Sequence, residues 1–145
     1  MSEPSDPAEP YALVVDDGLI RMDAMFILED ASFRTFEAND GDKAMERLAR
    51  KHAVIVLLFT DVQMPGSRNG FAVARETAAR WPHIAIVMAS GHLRPRPGDM
   101  PEGACFIGKP FTADMIQDHL QDILPDGRKP ALLRRRAHAR SPSHA

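Results

Sequence analysis

The 145-residue sequence carries 18 Lys and Arg against 20 Asp and Glu, a net charge of −2, with 44% hydrophobic residues. That is the composition of a single globular domain, long enough for a sizeable core and short for two. The longest uncharged apolar run, "AVIVLLF" (53–59), is far too short to span a bilayer, which excludes a transmembrane helix.

The charge is unevenly spread. Residues 125–145 carry a net +5 and residues 1–124 a net −7. The opening segment "MSEPSDPAEP" (1–10) lacks the basic and apolar stretches of a secretory leader, and Cys105, the one cysteine, has no internal disulfide partner. Both point to a cytoplasmic protein with no membrane attachment. Segments 1–10 and 125–145, rich in Pro, Ser and charge, are expected to be a disordered head and a mobile basic tail around a domain at 11–124.

In chain order, "YALVVDD" (11–17) predicts a strand ending in two acids, and "LIRMDAMFILED" (19–30) a helix with a broad apolar face. "RTFEA" (34–38) is a weaker strand. "DKAMERLARK" (42–51) is helical, with Asn39 or Asp40 placed to cap it. "VIVLLF" (54–59) is apolar throughout, as a strand covered on both faces requires. "GFAVARETAARW" (70–81) is a helix stopped by Pro82; "IAIVMAS" (84–90) and "ACFIG" (104–108) are the fourth and fifth strands. "ADMIQDHLQDIL" (113–124) is an amphipathic helix capped by Thr112, with Ile116, His119 or Leu120, and Ile123 on its stripe.

Such alternation predicts an α/β domain with a parallel sheet and helices on both faces. Ligands then sit beyond the carboxyl ends of the strands. If the strand order is 2-1-3-4-5, Asp16 and Asp17, Asp61, Ser90 and Lys109 converge on one rim. Clustered carboxylates repel and imply a cation, and oxygen-only donors favour Mg²⁺. A metal-bound carboxylate beside a lysine is a candidate nucleophile for a phosphoryl group.

The motifs "LVVDD", "FTDVQMPG", "MASG" and "FIGKPF", in this order on successive strand ends, resemble the response-regulator receiver domain of two-component signalling over residues 11–124. The resemblance implies a flavodoxin-like, doubly wound five-stranded sheet. It implies that Asp61 accepts a phosphoryl group, and that Asp16, Asp17, Asp61 and the Gln63 carbonyl hold Mg²⁺. Ser90 and Lys109 would assist the transfer, and Ser90 and Phe106 would act as switch residues. It also implies a Lys109-Pro110 bond that is often cis. The implied partner is a histidine kinase or histidine phosphotransfer protein in a phosphorelay, with a downstream target or a homodimer as the readout.

Three features depart from the family pattern: Gly18 after the acid pair, the Gln63 and His92 combination, and Pro95, Pro97 and Pro101 in "HLRPRPGDMPEG" (92–103). An interior proline costs a helix about 3 kcal/mol, so the fourth helix should be shortened or missing. Simpler readings apply elsewhere. Met22, Met25 and Met45 read as core filler, and Cys105 as packing. The tail "RKPALLRRRAHAR" reads as a solvated segment more than a nucleic-acid-binding one, because it has no aromatic residue for stacking. The expectation is a stand-alone receiver acting as a phosphorylation-dependent switch or phosphate sink. The alternatives are a nucleic-acid-binding regulator using its tail, and a receiver-like interaction module without chemistry.

Overall fold

The apolar runs become five parallel strands: β1 (Tyr11–Val15), β2 (Arg34–Ala38), β3 (Ile55–Asp61), β4 (Ala85–Ser90) and β5 (Cys105–Gly108), ordered β2-β1-β3-β4-β5. The structure, a computed structural model, describes residues 10–16, 19–63, 69–91, 94–125 and 129–130, with backbone alone for 19–21. Among these residues four helices connect or follow the strands: α1 (Leu19–Asp30), α2 (Gly41–Lys51), α3 (Gly70–Arg80) and α4 (Ala113–Ile123). The fold is the flavodoxin-like one expected. No helix is long and apolar enough to cross a membrane.

The central strands are hidden on both faces, and their side chains alternate between two cores. Ala12, Val14, Phe59, Ala89 and Ile107 meet Ala24 and Leu28 of α1 and Ile116 and Leu120 of α4. Leu13, Val15, Leu58, Ile86 and Met88 meet Ala44, Met45 and Leu48 of α2 and Phe71, Val73 and Ala74 of α3. The edge strand β2 is more open. There Tyr11 stacks on Phe36 at 4.5 Å, with Arg34 over the Tyr11 ring and Arg47 over the Phe36 ring.

Three helices begin at short polar caps. Asp40 accepts a hydrogen bond from Lys43 N at 2.8 Å, Asn69 from Ala72 N at 2.9 Å, and Thr112 from Met115 N at 3.1 Å. Arg50 and Lys51 in the last turn of α2 complement its dipole. Trp81 ends α3 ahead of Pro82, and its ring stacks on His52.

Two readings of the sequence need adjustment. Val54 is exposed; β3 begins at Ile55 and runs on through Asp61, so the carboxylate belongs to the strand itself. Met22 is 64% exposed on α1 and is not core filler, whereas Met45 is buried.

No helix forms between β4 and β5 among the described residues; residues 97–99 form a turn instead. Arg96 N donates to the Asp99 carboxylate at 2.8 Å, and Asp99 N donates to Arg96 O. Arg75 of α3 donates to the Asp99 carbonyl at 2.7 Å, tying the loop to the body. Gly98 and Gly103 take φ of 89° and 88°, a region costly for other residues. Met100, half-buried, packs against the second core. The prolines thus leave a loop whose backbone finds turn and side-chain partners.

One close approach seats α3 against the rim of the sheet. Gly70 N donates to Val62 O at 2.8 Å, and a Cβ at Gly70 would lie 2.1 Å from Asp61 O and 2.8 Å from Val62 Cα. Those atoms are backbone and cannot swing aside. Gly70→Ala is therefore expected to destabilise the fold by about 1–3 kcal/mol, the usual range for overpacking. Urea denaturation measures it; a change below about 0.5 kcal/mol, the scale of a neutral surface substitution, would mean that α3 is free to shift.

Candidate functional site

Register places the polar residues together. Val15 is level with Ala38 and Thr60, Asp61 with Ala89, and Ser90 with Gly108. Asp16, Asp61, Ser90 and Lys109 therefore stand on one rim of the sheet. Backbone bonds continue past the strands: Asp16 N donates to Ala38 O, Val62 N to Ala89 O, and Lys109 N to Ser90 O, at 3.0–3.1 Å. The Thr60 hydroxyl, buried, donates to the Asp61 carbonyl at 2.9 Å. The Lys109-Pro110 bond is cis.

Lys109 lies between the two acids. Its Nζ is 3.1 Å from Asp61 Oδ1 and 3.5 Å from Asp16 Oδ2. Asp16 and Asp61 are buried, at 6% and 9% exposure. Burial raises the Asp61 pKa above the usual carboxylate range. The hydrogen bond and charge of Lys109 oppose that rise, Asp16 adds to it, and a backbone hydrogen bond from Val62 opposes it slightly. Among the described residues, two buried carboxylates thus share the Lys109 ammonium in a partly dry site.

Ser90 is buried at the end of β4, next in sequence to the residue level with Asp61. Phe106 is half-buried on β5 beside Met88 and packs on the second core. Gln63 is exposed two residues after Asp61. Asp17, Gly18 and His92 lie outside the described residues. Among the described residues no group of three or more acids, histidines or cysteines forms a metal cluster. The acidic donors they supply at the rim are therefore Asp16 and Asp61. Buried carboxylate oxygens in excess of nearby positive charge are the donor chemistry that a hard divalent cation takes.

Sequence patterns missed Gly70, although Asn69-Gly70 at the start of a helix is a visible signal of a cap and a close approach. They also missed a 250 Å³ cleft lined by Asp23, Phe26, Ile27, Pro110 and Phe111, one residue from Lys109. Phe26 is 71% exposed there. Cys105 is half-buried, and its thiol is held above its ordinary pKa by burial and by Asp122.

The raised Asp61 pKa has a consequence for stability. The unfolded chain releases this proton at lower pH than the folded one, so ionising Asp61 disfavours the fold as pH rises through the carboxylate range. In chelator, Asp61→Asn should raise the melting temperature at pH 7, and the gain should shrink as pH falls through the raised folded-state pKa and be gone below about 4, the ordinary carboxylate value. Thermal denaturation across that window checks this; an equal or lower melting temperature at pH 7 would contradict it.

Sequence and structure comparisons agree with this geometry. Residues 12–121 match the response regulator receiver domain family. The sensor kinase CckA of Brucella abortus is 26% identical over 117 residues, or 77% of this chain, and the chain spans 12% of that kinase's length. A receiver protein of Sinorhizobium medicae superposes with a TM-score of 0.75 at 27% identity, covering 82% of this chain and 97% of its own. The receiver domain of NtrX from Brucella abortus gives 0.66 at 33% identity, covering 78% and 97%. The chemotaxis protein CheY4 of Vibrio cholerae, at 24% identity and a TM-score of 0.70 over 81% of this chain and all of its own, shares the fold. With the family pattern running from β1 into α4, this chain belongs to the response regulator receiver domains of two-component signalling.

Proposed function

We propose that Asp61 accepts a phosphoryl group from a phosphohistidine of a histidine kinase or phosphotransfer protein, and that the acyl phosphate is later hydrolysed. The observation that carries this reading is the Asp61–Lys109 contact at 3.1 Å on the strand rim. One carboxylate oxygen of Asp61 attacks phosphorus, the P–N bond to the donor imidazole breaks, and its electron pair leaves with the imidazole nitrogen. The product is an aspartyl phosphate. Water attacking the same phosphorus releases inorganic phosphate and restores the carboxylate.

Lys109 is placed to hold the attacking carboxylate and to offset charge on the phosphoryl oxygens as it builds. The half-dry rim strengthens that interaction relative to open water. Ser90, by its position beside Ala89, is assigned a hydrogen bond to a phosphoryl oxygen, and Phe106 a response to that bond. Mg²⁺ would be held by Asp16 and Asp61, with Asp17 and the Gln63 carbonyl assigned from the sequence motif. It would supply the positive charge that Lys109 alone does not.

Incubation with a small-molecule phosphodonor and Mg²⁺ should produce an acid-stable, base-labile label, and Asp61→Asn should abolish it. Lys109→Ala should slow labelling by roughly 10²–10³, the loss typical of one transition-state donor. Equal labelling of Asp61→Asn and the native chain would refute the assignment of the acceptor.

A further inference from the structure

β5 begins late. Its first residue, Cys105, is level with Val87, whereas β4 begins two residues earlier at Ala85. Ala85 and Ile86 thus have β3 on one side and no described strand on the other. Beside this open edge lies a cavity of about 430 Å³, lined by Ala78 of α3, Ile84 and Ile86, Ala104, and Ile123 and Pro125 at the end of α4, with Glu102 as its acid. It lies on the stretch of sheet that a helix between β4 and β5 would help to cover.

The chain leaves α4 at this cavity, because Pro125 is part of the lining. Lys129 and Pro130 are buried, with Lys129 only 7% exposed, so the chain returns to the body after α4. Next in sequence come Ala131, Leu132 and Leu133, then Arg134, Arg135 and Arg136. The eight residues 126–133 reach about 26 Å when extended, ample to fold back from Pro125. Apolar side chains followed by cations complement a cavity whose lining mixes Ile84, Ile86 and Ile123 with the carboxylate of Glu102.

We propose that this cavity is the docking site of the chain's own C-terminal segment, with Leu132 and Leu133 against Ile84, Ile86 and Ala104, and the arginines set against Glu102. The segment fills the cavity that borders Ile84 and Ile86 beside the helix-free β4–β5 loop. The inference does not rest on the phosphoacceptor reading, because the test uses the unphosphorylated full chain.

Hydrogen exchange of the full chain is compared with that of Leu132→Asp/Leu133→Asp. Exchange at 82–87 and 100–105 should accelerate by roughly tenfold or more on loss of two buried leucines, while β1 and β3 stay protected. Unchanged protection at the cavity would overturn the proposal. Protection there that rises with protein concentration would also overturn it, by showing that a second copy fills the cavity. If the aspartate pair unfolds the whole chain, a charge swap decides. Glu102→Arg should loosen the same segments, and Arg134→Glu/Arg135→Glu/Arg136→Glu in that background should restore them; failure to loosen or to restore counts against the proposal.

Discussion

The described rim turns on how one ammonium is divided between two buried carboxylates. Lys109 reaches both Asp61 and Asp16, yet burial outweighs what it returns to Asp61, whose carboxyl is held above its usual pKa. A salt bridge that fully satisfied the acid would depress that pKa and make a poor nucleophile inside a closed pair. Among the described residues, the balance leaves the carboxylate partly dry, with the Lys109 ammonium at one oxygen and a weaker backbone hydrogen bond from Val62. Such a group is open to a second cation and to an electrophile. The remaining features of the rim serve to keep this balance in place.

The placement depends on strand register more than on any side-chain contact. Lys109 sits at the end of β5, and its backbone N–H is bonded to Ser90 O at the end of β4. Asp61 is level with Ala89, and the Val62 N–H bonds to Ala89 O. A slip of one residue would turn Asp61 to the opposite face and carry its neighbours in the core with it. The apolar alternation that buries Leu58 and Met88 on one side and Phe59 and Ala89 on the other therefore also aims the carboxylate. Gly70 adds a constraint at the backbone, since α3 starts where only hydrogen fits against Asp61 O.

Much of this was legible in the sequence because apolar runs and polar strand ends obey short-range rules. The strand order, two of the three caps (Asp40 and Thr112) and the convergence of Asp16, Asp61 and Lys109 follow from alternation, turn chemistry and the crevice rule of parallel sheets. The less legible parts are those set by long-range packing. Met22 has the spacing of a core residue, yet it stands on the outer side of α1, because periodicity gives a stripe and not what covers it. Val54 looks like the start of a strand, yet it remains in the turn while β3 runs on to Asp61. The role of Gly70 depends on Asp61 and Val62, nine and eight residues back, brought close only by the fold.

The loop between β4 and β5 shows how a local prohibition is turned into a specific structure. Pro95, Pro97 and Pro101 each lack the N–H that a helix interior donates, so the stretch cannot satisfy its backbone by local helical bonds. Instead Asp99 accepts from Arg96 N with its side chain and from Arg75 with its carbonyl, and two glycines take the positive φ that the path needs. These bonds hold the loop to α3, but a loop covers less of the sheet than a helix lying across it. Phe106 is left half-buried, and a cavity opens beside Ile84 and Ile86. With no helix between them among the described residues, β4 and β5 are covered on the face opposite α4 mainly by α3 and Met100. Ser90 and Lys109 lie at the far end of those same two strands, joined by the Lys109 N–Ser90 O bond. The cavity therefore borders the strands that carry the hydroxyl and the ammonium of the site.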